Sequence, residues 1–319
     1  MRGQYRQIGR GGKGIEPNEF ASNAHIRNFS RHAAARWQPG EKWVSVMSYH
    51  QTGSARAEHA VCQYGQSRLW FRGPERSLDT AYMACVGGDE TYGRFVDRPY
   101  AAILEDRLGQ RCLNLGSLFC GVEALCSDKG LFSLLNQAQL CVLQAPGILS
   151  QSNHFYRVHP RRNDRVLAPS QDLIDLYPEV DFADVHFVGH LMQCLQAYQD
   201  ARIEVVVEEL RRSWVRQISD LLRRLEVPVL LLGLEVLTLN ECEHLDERTP
   251  VVVTPEMLEA VRPLCADWVK TTAYVSGQSD ELEDMLFGTL QQPMAEHMIG
   301  PAAHRSIADA LIGPIRNLH

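Results

Sequence analysis

Five short apolar segments alternate with helix-like stretches along this chain, and that alternation limits the folds it can adopt. Apolar runs of this length, closed by glycine or polar residues, are typical of buried strands. Strands that alternate with helices are joined by right-handed crossovers into a parallel sheet covered on both faces. The predicted strands are 82–87, 111–115, 140–144, 227–233 and 268–272, and the predicted helices are 98–108, 131–137, 203–225, 255–266 and 302–315.

The stretch 145–200 does not continue this alternation. We therefore predict an α/β fold of three layers: a mostly parallel five-stranded sheet flanked by helices, with a long inserted loop after strand three that contains short helices. Loops of that length in a compact domain are usually functional or disordered. Residues 47–319 are predicted to form this single domain.

Residues 1–46 differ in composition from the rest. They contain eight Lys/Arg against three Asp/Glu, six glycines and no sustained period. Three interpretations are open: a basic arm for nucleic acid or an anionic membrane, a disordered extension, or a segment upstream of a translation start at Met47. We favour the disordered extension, because polar glycine-rich sequence buries too little apolar surface to offset its ordering entropy.

Charge and cysteine usage indicate a cytoplasmic protein. The formal net charge of −7 argues against nucleic acid as a partner. Nine cysteines without a Cys-x-x-Cys pair fit reduced, buried thiols better than a disulfide framework or a zinc site. The most apolar run, 227–234, is far shorter than the roughly 20 residues of a membrane span. We therefore expect no membrane partner. No apolar segment follows Met1 as it would in a secretory signal, which favours the cytoplasm. The oligomeric state is not predicted.

In an open parallel sheet, ligands bind beyond the carboxyl ends of the strands, so the segments after the first three strands are the candidates. After the first comes Gly-Gly-Asp-Glu-Thr-Tyr-Gly, residues 87–93. Two carboxylates at a tight turn can serve as nucleophile, base or ligand-orienting group, or merely cap the following helix. We take Asp89 and Glu90 as candidate catalytic residues and Thr91 as a ligand contact.

The segment after the second predicted strand contains Asn114, Gly116 and Gly121. Asn and Gly at a strand end can present N–H groups to a ligand oxygen, as an oxyanion hole requires, although an ordinary glycine turn has the same residues. We take all three as candidate ligand contacts.

The segment after the third predicted strand is unusually rich in hydrogen-bonding and cationic side chains. Adjacent arginines can hold a sulfate, phosphate or carboxylate, whereas the alternative is a solvated loop with weak surface ion pairs. Functional groups concentrate in loops on a rigid scaffold, which favours ligand contact. The candidates here are Asn153, Tyr156, His159, Arg161, Arg162 and Asn163.

Two further groups of histidines are candidate sites. His186 and His190 have a spacing that can bind zinc on a helix, but no third ligand accompanies them, so we predict no metal site. His297 lies just ahead of the last predicted helix, where an imidazole can act as a general base, and His304 follows it. His297 is taken as a candidate catalytic residue. No cofactor is expected.

These blocks together resemble the SGNH/GDSL-type hydrolases, which share an SGNH/flavodoxin-like fold. The turn at 87–93 resembles that family's Gly-Asp-Ser-x-Thr-x-Gly block in its first glycine, Thr91 and Gly93, and Asp89 occupies the position of the nucleophilic serine. Asn114 and Gly116 resemble the second block. The third block is poorly matched, with Asn153 nearest to the family's asparagine. His297 matches the last block, where Met294 replaces the orienting aspartate.

From about Met47 to the end, the chain is also similar to an uncharacterised bacterial family built on a domain of unknown function. The segments that carry the resemblance are 71–74, 90–95 and 155–165. This resemblance implies no activity.

The sequence leaves two functions open. The favoured one is a binding protein without a serine nucleophile, which holds an anionic or sugar-bearing small ligand at the carboxyl edge of the sheet. The alternative is a non-standard hydrolase of acyl or carbohydrate esters that works through Asp89 or Glu90 together with His297 or His159.

Overall fold

The computed structural model describes residues 61–198, 201–237 and 251–318. All of these belong to one compact unit. The strands are β1 (Val61–Cys62), β2 (Phe71–Arg72), β3 (Met83–Gly87), β4 (Cys112–Gly116), β5 (Leu140–Gln144), β6 (Tyr156–His159), β7 (Arg162–Pro169), β8 (Val229–Leu237) and β9 (Asp267–Tyr274). The α-helices are α1 (Asp89–Tyr92), α2 (Tyr100–Leu108), α3 (Val122–Ser127), α4 (Lys129–Asn136), α5 (Gln171–Leu176), α6 (Val188–Gln196), α7 (Arg202–Arg223), α8 (Pro255–Val261), α9 (Gln292–Ala295) and α10 (Pro301–Leu318).

The central sheet contains the five predicted strands. Its order is β4-β3-β5-β8-β9, and every neighbouring pair is parallel. The predicted fold class, an α/β fold with a five-stranded parallel sheet flanked by helices, is confirmed. Since β4 lies on one side of β3 and the later strands on the other, the strand order reverses between β3 and β5. Ligand sites of open α/β sheets form outside the carboxyl ends of the strands at such a reversal.

Helices cover both faces of this sheet. Along β3, Met83 and Cys85 point to one face, and Ala84 and Val86 to the other, as the two-residue period of a strand requires. The helices α2 and α10 pack on the first face, and α3, α4, α7 and α8 on the second. All five residues of β3 are buried, which explains its continuous apolar sequence.

Helix α7 anchors the second face. Leu210, Trp214 and Ile218 recur every four residues and are fully buried, so they form one apolar stripe against the sheet. The indole N–H of Trp214 donates to the carbonyl of Pro146 at 2.7 Å, which satisfies the polar atom of this buried ring. This bond ties α7 to the segment that leaves β5.

The pair β8–β9 extends beyond the rest of the sheet. β5 pairs with residues 229–232 of β8, whereas β9 pairs with 230–237. The first five residues of β8 are therefore buried and the last four only half-buried. This two-stranded extension projects past the carboxyl edge and brings Val236 to the region of the predicted site.

The insertion after β5 is more regular than predicted. Besides α5, α6 and a 3-10 turn at Phe182–Asp184, it contains an antiparallel hairpin, β6–β7. The sequence prediction of a loop with short helices missed this hairpin because β6 is only four residues long and β7 has no two-residue period: four polar residues, 162–165, are followed by four apolar ones, 166–169.

Several sequence predictions lie outside the described residues. These are the disordered extension at 1–46, the start at Met47 and the state of Cys242. The eight other cysteines are free thiols. Over the described ranges, no helix is both long and apolar enough to cross a membrane.

Candidate functional site

The short helix α1 sits directly on the carboxyl edge of the sheet because two glycines leave room for it. A Cβ at Gly87 would lie 2.3 Å from the hydroxyl oxygen of Thr91, and one at Gly116 would lie 2.2 Å from the backbone nitrogen of Tyr92. Gly87 and Gly116 face each other as the last paired residues of β3 and β4. Glycine at both positions therefore lets α1 approach the strand ends closely.

Three surrounding elements hold α1 in place. The amide oxygen of Gln144, at the end of β5, accepts the backbone N–H of Thr91 at 3.1 Å, and its Nε2 donates to Glu90 at 2.6 Å. The Thr91 hydroxyl also contacts the Tyr100 hydroxyl at 3.0 Å. Asn114 of β4 donates to the Thr91 carbonyl at 2.8 Å. The turn that carries the two candidate carboxylates is thus fixed to β4, β5 and α2.

Asp89 is a partly satisfied, nearly buried carboxyl group. Its Oδ2 accepts the backbone N–H of Phe119 at 3.1 Å, and Phe119 adopts a left-handed conformation with φ of 59°. Its Oδ1 is buried without a hydrogen-bond partner among the described residues. Burial raises the pKa of Asp89 to about 7, and the negative charges of Glu90 and Asp164 add to this, while the Phe119 N–H opposes it. At neutral pH this carboxyl can both take up and release a proton.

His304, on α10, is a second buried polar group beside α1. Its Nδ1 accepts the backbone N–H of Tyr100 at 3.1 Å, so a neutral ring carries its proton on Nε2. Nε2 is buried, and the described residues supply no acceptor for it. Burial lowers the pKa of His304 to about 3, and the positive charge of Arg72 contributes. The imidazole is therefore a neutral hydrogen-bond donor at physiological pH.

Asp89 and His304 line one cavity of about 320 Å³, which we call the carboxylate cavity. Asp89 Oδ1 and His304 Nε2, the two buried atoms described above, thus belong to side chains that line the same cavity. His297 is exposed at this cavity, and Glu90 lines it beside Asp89. The other lining residues are Gly93, Arg94, Phe95, Phe119, Val236, Met294, Met298 and Ile299.

A second cavity, of about 340 Å³, is lined in part by α1 and by the loop after β4. We call it the arginine cavity. Arg162 lies 4.0 Å above the Phe119 ring and pairs with Asp164 at 2.9 Å, while His159 Nδ1 accepts the backbone N–H groups of Arg161 and Arg162. The lining residues are Val61, Arg68, Leu69, Trp70, Tyr92, Ser117, Leu118, His159, Arg161 and Arg162.

Comparison with known proteins identifies the family. The model of the family described as "Domain of unknown function (DUF6473)" matches residues 47–319. The chain belongs to this family. The predicted membership of an uncharacterised family is thereby confirmed. No curated protein matches this DUF6473 chain.

A solved structure with some likeness is the lipase Lip_vut3 from a goat rumen metagenome. It is 12% identical, covers 73% of this chain and 97% of its own, and has a TM-score of 0.40.

Within this DUF6473 domain, the predicted site residues fall into three groups. Asp89, Glu90 and His297 come together at the carboxylate cavity. His159, Arg161 and Arg162 come together at the arginine cavity instead. The remaining predicted contacts line neither of these cavities: Thr91, Asn114, Gly116, Gly121, Asn153, Tyr156 and Asn163.

Asn163 shows what this third group does. Its side chain is fully buried; Oδ1 accepts the backbone N–H groups of Gly121 and Ala124 at 2.8 and 3.0 Å, and Nδ2 donates to the His159 carbonyl at 2.9 Å. It thus caps the start of α3 and joins it to the β6–β7 hairpin. A ligand contact by Asn163 would require breaking these bonds.

Hydrogen bonds within the protein likewise engage the side chains of Asn153, Tyr156 and Asn114. Asn153 Oδ1 accepts the backbone N–H groups of Phe155 and Tyr156. The Tyr156 hydroxyl donates to the Leu149 carbonyl at 2.8 Å. Asn114 Oδ1 accepts the backbone N–H of Gly116 at 2.9 Å, in addition to its bond with α1. These side chains shape the backbone around the cavities.

Gln144, Phe119 and His304 were missed as site residues by the sequence prediction. Gln144 did carry a signal, because a polar side chain ending an apolar strand lies at the carboxyl edge. His304 carried no sequence signal beyond its position next to a helix start. Phe119 contacts Asp89 through its backbone N–H, which the residue type does not reveal.

Proposed function

We propose that this protein hydrolyses an ester of a small acyl or carbohydrate molecule in the carboxylate cavity, with Asp89 as the general base. The observation that carries the proposal is the Asp89 carboxyl, whose second oxygen is unpartnered and whose pKa is raised to about 7. A strongly shifted carboxyl in a cleft, beside a second ionisable group, is the usual sign of acid–base chemistry.

The proposed reaction needs no serine. Asp89 takes a proton from a water molecule, and the water oxygen bonds to the ester carbonyl carbon. Cleavage of the ester C–O bond then releases the alcohol, which receives the proton held by Asp89, so that ester and water become acid and alcohol. His304 Nε2–H donates to the carbonyl oxygen as negative charge develops there.

His304 suits that role because its ring stays neutral. The backbone N–H of Tyr100 donates to Nδ1, which fixes the proton on Nε2, and burial disfavours the charged imidazolium. His297 lies exposed at the same cavity.

The test is a hydrolysis assay of the full chain against a panel of p-nitrophenyl esters and acetylated sugars. We expect turnover that rises through about pH 7, as Asp89 loses its proton. Asp89→Asn should lower turnover by about 10²–10⁴-fold, the usual contribution of a general base.

Asp79→Asn is the matched control, because Asp79 is exposed and lines neither cavity. It should leave turnover unchanged. The absence of turnover across the panel, or equal turnover by wild type and Asp89→Asn, contradicts the proposed reaction.

A further inference from the structure

The arginine cavity has a charge character opposite to that of the carboxylate cavity. Arg68, Arg161, Arg162 and His159 line it, and none of its lining residues is acidic. The Arg162 charge is balanced by Asp164, whereas Arg68 and Arg161 form no ion pair with any residue in the described ranges. Two uncompensated guanidinium groups around one concavity favour an anion, which both can bind in a fork geometry.

His159 adds a directed donor to this set. The backbone N–H groups of Arg161 and Arg162 lie 3.3 and 3.1 Å from its Nδ1, so that nitrogen is an acceptor and the ring proton is on Nε2. The tight turn of the β6–β7 hairpin therefore fixes the tautomer of His159 as well as the backbone positions of both arginines.

The cavity also has a flat apolar wall. Trp70 lines it with 47% of its surface exposed, between the buried side chains of Leu69 and Phe71. Leu69 and Leu118 line the cavity next to it. An exposed indole beside cationic groups is suited to a ligand with a planar or C–H-rich face and a polar rim.

We propose that the arginine cavity binds a sugar carrying one carboxylate or phosphate group, with the anionic group between Arg68 and Arg161 and the sugar ring against Trp70. This site is separate from the Asp89 chemistry and does not depend on it. A volume of about 340 Å³ is within the usual range for a small-ligand site and accommodates a single sugar unit better than a polymer.

The experiment is isothermal titration calorimetry of the full chain with glucuronate, glucose 6-phosphate, glucose and inorganic phosphate. We expect one or both sugar acids to bind at least tenfold more tightly than glucose and than inorganic phosphate. The stronger of the two identifies the anionic group as a carboxylate or a phosphate. Raising the salt concentration should weaken binding of either one.

Variants locate the binding site. Arg68→Gln and Arg161→Gln should each weaken the sugar acid about tenfold, and Trp70→Ala should do the same. Arg157→Gln is the matched control, because Arg157 is an exposed arginine on the same hairpin that lines neither cavity. Asp89→Asn should bind the sugar acid as wild type does. The binding result can therefore be interpreted even if the hydrolysis proposal fails.

Three results would overturn the inference. The first is that neither sugar acid binds. The second is that inorganic phosphate binds as tightly as glucose 6-phosphate while Trp70→Ala has no effect, which identifies a simple anion site. The third is that AMP, added as a comparison, binds more than tenfold tighter than both sugar acids, which identifies a nucleotide site.

Discussion

The two cavities share a wall but are built in different ways. Tyr92 and Leu118 line the arginine cavity, and their neighbours Gly93 and Phe119 line the carboxylate cavity. The carboxylate cavity takes Asp89 and Glu90 from a turn fixed at the strand ends, where Phe119 holds one carboxylate oxygen of Asp89 and Gln144 holds one of Glu90. The arginine cavity takes Arg161 and Arg162 from the inserted hairpin, and the exposed side chains of Arg68 and Trp70 from the segment just before β2.

We infer from this difference that the carboxylate cavity suits proton transfer and the arginine cavity suits charge recognition. Proton transfer requires a group held within a fraction of an ångström and shielded from water, which short side chains at strand ends provide. Charge recognition tolerates flexible side chains, since an ionic attraction falls off gradually with distance. Changes to the backbone should therefore affect the carboxylate cavity most, and changes of charge should affect the arginine cavity most.

The largest expected effect comes from closing the space beneath α1. In Gly116→Ala the added Cβ meets backbone atoms of α1, the nearest at 2.2 Å, and backbone cannot move aside as a side chain can. We expect a loss of unfolding free energy of about 3 kcal/mol, at the upper end of overpacking effects. Urea unfolding followed by circular dichroism measures it.

Gly147→Ala is the control for that prediction. Gly147 is exposed, and a Cβ there meets nothing within 4 Å. Its stability should stay within about 1 kcal/mol of wild type. Equal stability of the two variants would mean that α1 is not held tightly against the sheet.

The second prediction concerns the pH dependence of stability. The pKa of Asp89 is raised from 3.8 to about 7 in the folded protein. Between these values the folded carboxyl keeps a proton that the unfolded one has lost, so its contribution to stability falls as pH rises and is constant above about pH 7. Asp89→Asn removes this dependence and should gain about 1–3 kcal/mol relative to wild type between pH 4 and pH 8.

Urea unfolding at pH 4, 5, 6, 7 and 8 tests this prediction. Arg161→Gln serves as the control from the other cavity: its exposed side chain makes no ion pair in the described part of the chain, so its pH profile should run parallel to that of wild type. Parallel profiles for Asp89→Asn and wild type would show instead that solvent reaches the Asp89 carboxyl freely.

The fold could be predicted because its signals are local. Three strands of the central sheet, β3, β4 and β5, are short and almost wholly buried runs, and they alternate with helices that bury an apolar face, so the alternation itself indicates a parallel sheet. The β6–β7 hairpin could not be predicted in this way. Tyr156–His159 is too short for a clear two-residue period, and its turn, Pro160-Arg161, lies among arginines that indicate solvent exposure.

The candidate site could be predicted in part for a similar reason. Asp89 and Glu90 follow a strand directly, and the rule for strand ends locates them without any knowledge of distant contacts. Asn163 is the opposite case, because its partners Gly121 and Ala124 are 42 and 39 residues away. From sequence alone, an asparagine that caps a distant helix looks the same as one that binds a ligand.

The smallest expected effect tests whether the two cavities are electrically independent. Asp164 raises the pKa of Asp89 through its negative charge. Arg162, which lines the arginine cavity, forms an ion pair with Asp164 at 2.9 Å. Asp164→Asn should therefore lower the pKa of Asp89, and Arg162→Gln, which leaves the Asp164 charge uncompensated, should raise it. Each shift should be a few tenths of a pH unit, since Asp164 is partly exposed to solvent.

The opposite signs make this measurement decisive. Both substitutions break the same ion pair, so a shift caused by local loosening of the hairpin would have the same direction in both variants. A purely electrostatic coupling gives shifts of opposite direction, and both shrink at 1 M salt because the screening length falls to about 3 Å. Carbon-13 NMR titration of the Asp89 carboxyl can resolve such shifts. Equal and unshifted pKa values in both variants would mean that the wall between the cavities separates their charges, and that an anion in the arginine cavity leaves the acid–base balance of Asp89 unchanged.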